Sequence, residues 1–212
     1  MFLTRPLWYH SWCAVTPTPC LTTSVNKLDQ LGFMYGSIQA DALSSVVQNT
    51  AGAVAFILPF ILYWKRDLRR AVSEAILLLY FTLWNGVLLE LCRALSQRPR
   101  PLVFHDPLGE GANINQYTSF YSGHTSFVAL AGLAMVCMVI RRFPGNRAYT
   151  LSFGMLYVCM SALTGSLRIL GGRHYPTDVV AGFLFGSLIA LAGNRLYSRM
   201  VSQSGRHDIL WN

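Results

Sequence analysis

The sequence predicts an all-α fold, a polytopic membrane helix bundle with about five spans and an N-terminal interfacial segment. Three observations carry this. Only 12% of the 212 residues are charged and 53% are hydrophobic, against about 25% charged in an average soluble domain. Mean hydropathy is +0.38. The apolar residues also fall in long runs rather than at the 3.6-residue period of a one-faced helix, and Lys and Arg gather at the ends of those runs. This composition excludes a disordered chain and argues against a soluble globule.

The length fits one domain. Residues 1–26, with Pro6, Pro17, Pro19 and a Ser/Thr cluster, read as a poorly structured tail lacking the apolar stretch and cleavage site of a signal peptide. Residues 27–212 read as a single integral membrane domain. Its first part, 27–45, mixes Asp29, Gln30, Gln39 and Asp41 with Leu, Phe and Met, a pattern suited to a helix lying at the interface. Five runs follow at 46–64, 71–92, 124–140, 149–166 and 178–197, each close to the roughly 20 residues that cross a bilayer.

The net charge of +8 comes from 17 Lys+Arg against 9 Asp+Glu. The basic residues flank apolar runs and do not form a stripe with interleaved aromatics, so the charge points to lipid headgroups or phosphate-bearing substrates and not to nucleic acid. Alternating spans place Lys65, Arg66, Arg69, Arg70, Arg141, Arg142, Arg147, Arg195, Arg199 and Arg206 on one side and the remaining seven Lys and Arg on the other, and the positive-inside rule makes the first side cytoplasmic. Cys92, Cys137 and Cys159 read as small buried hydrophobes, whereas Cys13 and Cys20 are placed to bridge in an oxidising compartment.

The same alternation gathers four groups on the non-cytoplasmic face: Arg93 with Arg100 and Pro101 after the second run, Ser122-Gly123-His124 before the third, Arg168 after the fourth, and His174 with Asp178 before the fifth. Arginine is always charged and offers a planar donor fork suited to phosphate. Ser122 and Gly123 open a helix, whose exposed amides and positive dipole end attract anions. His174 and Asp178 are four apart, so a helix puts them on one face. A carboxylate bonded to one ring nitrogen makes the other a better nucleophile, and His124 is left as a second imidazole for proton transfer. No acidic cluster for Mg²⁺ or His/Cys set for Zn²⁺ appears, and no cofactor is expected.

Arg93-x6-Arg100-Pro101, Tyr121-Ser122-Gly123-His124 and Leu167-Arg168-x5-His174-x3-Asp178 closely resemble the three-part signature of the type 2 phosphatidic acid phosphatase superfamily, K-x6-R-P, P-S-G-H and S-R-x5-H-x3-D. The resemblance implies metal-independent phosphomonoester or diphosphate hydrolysis through a phosphohistidine. It makes His174 the nucleophile, Asp178 its orienting partner and His124 the general acid, with Arg93, Arg100, Ser122, Gly123 and Arg168 holding phosphate. The implied substrate is a lipid phosphate or polyprenyl diphosphate, taken from among membrane lipids. Arg93, Tyr121 and Leu167 depart from the family's Lys, Pro and Ser, with Ser166 adjacent to the last. The family usually has six spans where five are counted here.

Singly, each of these residues also has a structural reading. An arginine at a span end usually snorkels to the interface, and Arg98 and Arg173, outside the signature, keep that reading. Glu90 is placed to pair with Arg93, Asn85 to bond across helices, and Trp64 and Tyr197 to anchor at the interface. His105, Asp106 and Glu110 read as solvated loop residues. Two rival functions stand beside hydrolysis. One is a phosphotransferase similar to sphingomyelin synthases, which His174-Tyr175-Pro176-Thr177-Asp178 resembles in part. The other is an inactive lipid-binding homologue.

Overall fold

The computed structural model describes residues 25–34, 36–65, 67–105 and 113–210. The tail residues Cys13 and Cys20, and Asp106 and Glu110, lie outside them. The described residues are helical, with six α-helices: α1 (Ile38–Tyr63), α2 (Leu68–Ser96), the short α3 (Pro101–His105), α4 (Gly123–Arg142), α5 (Arg147–Leu170) and α6 (Pro176–Leu210). All except α3 are long and apolar enough to cross a bilayer. The protein is an integral membrane bundle.

Residues 27–45, expected as one interfacial segment, divide into two pieces. Asp29–Met34 forms a 3-10 turn, and α1 already begins at Ile38. The reason is local. Ser37 caps α1 by accepting the Ala40 N–H at 3.2 Å, and although Gln39 is exposed, Asp41, Ser44 and Ser45 turn toward the bundle, where Ser44 is fully buried. Asp67 and Asn146 cap α2 and α5 in the same way.

The bundle is built around α4. Of its most apolar stretch, 72% is buried inside the protein, against 17–28% for the other four long helices. Helices α1, α2, α5 and α6 all pack on it. The outer helices turn apolar side chains such as Ile57, Ile76, Leu83, Leu151 and Met155 outward, which is what a hydrocarbon solvent requires.

Close packing comes from small residues. A Cβ on Gly182 would stand 2.5 Å from the Ser122 carbonyl oxygen, and one on Gly186 2.1 Å from that of Ser126. These two glycines, four apart on α6, let its backbone lie directly on α4 in the small-xxx-small manner of membrane helices. Asn85 of α2 donates to Ser126 Oγ at 3.0 Å, the cross-helix bond expected of it. At the opposite end Arg141 of α4 holds buried Glu74 of α2 at 2.6 Å, bonds Asn194 of α6, and lies over the Tyr197 ring. Tyr197 is therefore a buried platform and not an interfacial anchor, whereas Trp64 is 70% exposed. Cys137 is buried, but Cys92 is only half-buried and Cys159 faces outward.

Candidate active site

Each sequence-predicted site residue lies at the end of the bundle where α4 and α6 begin and α2 and α5 end. The juxtaposition is fixed by backbone. The Ser122 N–H donates to the Asp178 carbonyl at 3.0 Å, joining the starts of α4 and α6, and the Ser119 N–H donates to the Arg98 carbonyl at 3.0 Å. Gly123 is required by proximity, since a Cβ there would meet Leu89 at 2.8 Å and the Arg93 guanidinium at 3.2 Å. The Ser122 side chain makes no capping bond to α4; its hydroxyl lies 2.9 Å from that of Thr125. The first-turn amides of such a helix have no intrahelical acceptor.

His174 is fully buried. Its Nδ1 lies 2.7 Å from the Ser119 carbonyl oxygen. A carbonyl only accepts, so Nδ1 carries the proton and Nε2 of the neutral ring carries a lone pair. Nε2 is buried and has no hydrogen-bond partner in the protein. Burial pushes the imidazole well below the usual histidine range, and the charges of Arg168, Arg100 and Arg93 push it the same way, outweighing the Ser119 carbonyl. The ring is held neutral with its basic nitrogen free.

The sequence expectation of a carboxylate bonded to this ring is modified. Asp178 Oδ2 stands 3.7 Å from Nδ1, too far for a hydrogen bond. That oxygen instead accepts from Ser119 Oγ at 2.6 Å and from the Tyr175 N–H at 3.0 Å. Asp178 thus fixes Ser119, and the Ser119 carbonyl fixes the ring.

The three signature arginines share one property. Arg93, Arg100 and Arg168 each have a buried Nε–H without a partner in the protein. Their outer nitrogens are held in place: Arg93 by Glu90 at 2.7 Å, Arg100 by Thr118 at 3.2 Å, and Arg168 by Asp41 and by Ser44 at 3.2 Å. The Glu90 pairing is the one expected. His124, at the first turn of α4, has Nε2 3.0 Å from Ser45 Oγ.

Several participants were not singled out from sequence. Asp41, Ser44 and Ser45 of α1 contact Arg168 and His124, and with Gln48 they form a polar stripe at i, i+3, i+4, i+7 that could have flagged them. Arg173 and Arg98 do not snorkel. Arg173 pairs with Asp41 at 2.9 Å, and Arg98 bridges Asp29 at 2.6 Å and Asp178 at 2.5 Å. Among the departures, Tyr121 is buried and stacks on Phe185 at 4.8 Å. Leu167 packs with Ala40 and Val47, and Ser166 is exposed.

Fold and site together define an integral membrane helix bundle that gathers a neutral histidine and three arginines at one end, an arrangement for handling phosphate esters. The profile of the PAP2 superfamily matches residues 74–201, more than half of the chain, and the chain belongs to that superfamily. It is similar to the lipid A 1-phosphatase of Rhizobium johnstonii, 29% identical over 126 residues, which are 57% of this chain and 47% of that protein. The lipid A 1-phosphatase of Rhizobium etli is also 29% identical, over 123 residues, 55% of this chain and 47% of that protein. The chain thus spans about half the length of the curated relatives it matches. A crystal structure described as the first transmembrane PAP2 type phosphatidylglycerolphosphate phosphatase, from Bacillus subtilis, shares the fold. The TM-score is 0.58 and the identity 18%, over 81% of this chain and 83% of that one.

Proposed function

We propose that the protein is a metal-independent lipid phosphatase that hydrolyses a lipid phosphate or diphosphate through a phosphohistidine on His174. The observation that carries this reading is the unpartnered, lone-pair-bearing Nε2 of His174 beside three arginines with unsatisfied Nε–H groups. Nε2 attacks phosphorus, a P–N bond forms, and the P–O bond to the lipid breaks. His124 gives the leaving oxygen a proton. It then takes one from water, which attacks the phosphohistidine, releases inorganic phosphate and restores the Nε2 lone pair. Arg93, Arg100 and Arg168, with the first-turn amides of α4 from Gly123 onward, neutralise the charge that develops on the phosphoryl oxygens, while the Ser122 N–H stays on the Asp178 carbonyl and holds that turn in place.

The relatives act, by their names, on lipid A and phosphatidylglycerolphosphate, which supports a lipid substrate with a phosphate or diphosphate headgroup. The basic residues at the far end, Lys65, Arg69, Arg70, Arg141, Arg142 and Arg147, support an orientation with the site on the non-cytoplasmic side. The test is phosphate release in detergent, with excess chelator, from a panel of lipid phosphates and diphosphates. Wild-type protein is expected to release phosphate and His174→Gln to lose at least about a thousandfold in kcat. Retained turnover in that variant would overturn the assignment.

A further inference from the structure

The start of α6 carries an anomaly. Its first residues are Pro176, Thr177 and Asp178, which places Tyr175 at the N-cap. Tyrosine has no side-chain oxygen in reach of the first-turn amides, a role normally filled by Ser, Thr, Asp or Asn. Asp178 supplies one half of a capping box by accepting the Tyr175 N–H at 3.0 Å. The other half comes from far away in sequence. Asp29, in the N-terminal 3-10 turn, accepts the Thr177 N–H at 2.9 Å and the Thr177 hydroxyl at 2.6 Å. Asp29 thus caps α6 from a distant part of the same chain.

Asp29 does more than cap. It is fully buried, and Arg98 donates to it at 2.6 Å while donating at 2.5 Å to Asp178. One guanidinium therefore spans two buried carboxylates, lying at the same time over the Tyr175 ring at 4.1 Å. The Arg98 carbonyl accepts the Ser119 N–H at 3.0 Å, and Asp178 accepts the Ser119 hydroxyl. Both ends of Arg98 thus converge on Ser119, whose carbonyl holds the His174 proton. Burial raises the Asp29 carboxyl, but the hydrogen bonds from Thr177 and the Arg98 charge outweigh it and hold the group below the usual carboxylate range. The turn is seated by Gly32, where a Cβ would meet Tyr175 at 3.1 Å and Pro101 at 3.2 Å. Phe33 packs against Phe104 at 4.7 Å and Tyr175 at 5.7 Å.

We propose that Asp29 is a positioning residue for the hydrolytic site: it fixes Arg98, and through Arg98, Asp178 and Ser119 it sets the orientation of the His174 ring. The N-terminal turn 29–34 is thereby a working part of the site, although it lies before the region 74–201 that the superfamily profile matches. The proposal rests on the phosphatase reading. Asp29 does not touch the arginines that hold phosphate, so its loss falls on the chemical step and spares binding.

The test measures kcat and KM for a lipid phosphate in detergent, with inorganic phosphate as competitive inhibitor. Asp29→Asn keeps one oxygen to accept the Thr177 N–H, and loses the charge and the second oxygen that Arg98 and the Thr177 hydroxyl use. Its kcat is expected to fall about 10- to 100-fold, with KM and phosphate inhibition within about twofold of wild type. Asp29→Glu, which restores the charge, recovers part of the loss. Asp29→Asn combined with Arg98→Lys is no slower than Arg98→Lys alone, because the effect passes through that guanidinium. If Asp29→Asn yields no folded protein, Arg98→Lys carries the same test, since its single ammonium lacks the fork that bridges both carboxylates. An unchanged kcat, an equal loss of kcat and phosphate binding, or additive losses in the double variant would overturn the proposal. A wild-type protein that releases no phosphate would instead overturn the phosphatase reading itself.

Discussion

The Ser119 carbonyl decides which nitrogen of His174 is available. By accepting the Nδ1 proton at 2.7 Å, it leaves the lone pair on Nε2, the nucleophile of the proposed reaction, without requiring a charged partner on the ring. Burial and three nearby arginines hold the imidazole neutral, with a consequence for stability. In the unfolded chain His174 takes up a proton as pH falls through about 6.5, while the folded protein does not. The unfolded state then binds more protons, so this histidine costs no stability above about pH 6.5 and destabilises progressively below it. Thermal unfolding in detergent between pH 7.5 and 5 is expected to show a decline that His174→Gln flattens.

Gly123 gives a second prediction at this scale. Alanine there improves helix propensity by up to about 1 kcal/mol, but its Cβ would press on the Arg93 guanidinium. Because that Cβ also meets buried Leu89 at 2.8 Å, Gly123→Ala is expected to lower stability slightly while weakening inhibition by inorganic phosphate about tenfold, a cost of about 1.4 kcal/mol. Equal phosphate inhibition in the variant would show that Arg93 does not need its observed place.

At the scale of elements, α4 and α6 owe their registry to glycine. A Cβ on Gly186 would meet Ser126 backbone atoms at 2.1, 2.8 and 3.0 Å, and backbone cannot turn aside as a flexible side chain can. Gly186→Ala is expected to destabilise the bundle by about 1–3 kcal/mol or more. Gly154→Ala, where nothing stands within 4 Å, should be neutral or stabilising by up to about 1 kcal/mol. Unfolding in a denaturing detergent distinguishes the two. The far end of the bundle depends on a different device. Glu74 is buried, and Arg141 reaches it with two nitrogens at 2.6 and 3.3 Å. Removing Glu74 leaves the guanidinium only Asn194 and the Tyr197 ring, so Glu74→Ala is expected to cost about 1–3 kcal/mol. The same unfolding assay reads that cost.

At the scale of the whole molecule, the bundle puts the candidate site at one end and the Glu74–Arg141 clamp at the other. The parts legible in sequence were those encoded locally. Five apolar runs announced five membrane helices, and the spacings Arg93-x6-Arg100 and His174-x3-Asp178 announced the site, because each depends on residues a few positions apart. What escaped were contacts between distant segments. Nothing near Asp29 indicates that it caps α6, nor does anything near Arg98 indicate that it bridges Asp29 and Asp178, since those pairings exist only once the helices have packed. The direct carboxylate–imidazole bond was expected from the four-residue spacing and from the family resemblance, which made Asp178 the orienting partner of His174. The fold puts the Ser119 carbonyl there instead.

The central claim is that His174 carries the phosphoryl group between lipid and water. It is tested most directly by rapid acid-free quenching of protein turning over a lipid phosphate with a radiolabelled headgroup, followed by mapping of the labelled peptide. Wild-type protein quenched early in turnover is expected to carry an acid-labile, alkali-stable phosphoryl group on His174, and His174→Gln to carry none. Label on another residue, or turnover by a His174→Gln protein that forms no phosphohistidine, would contradict the account.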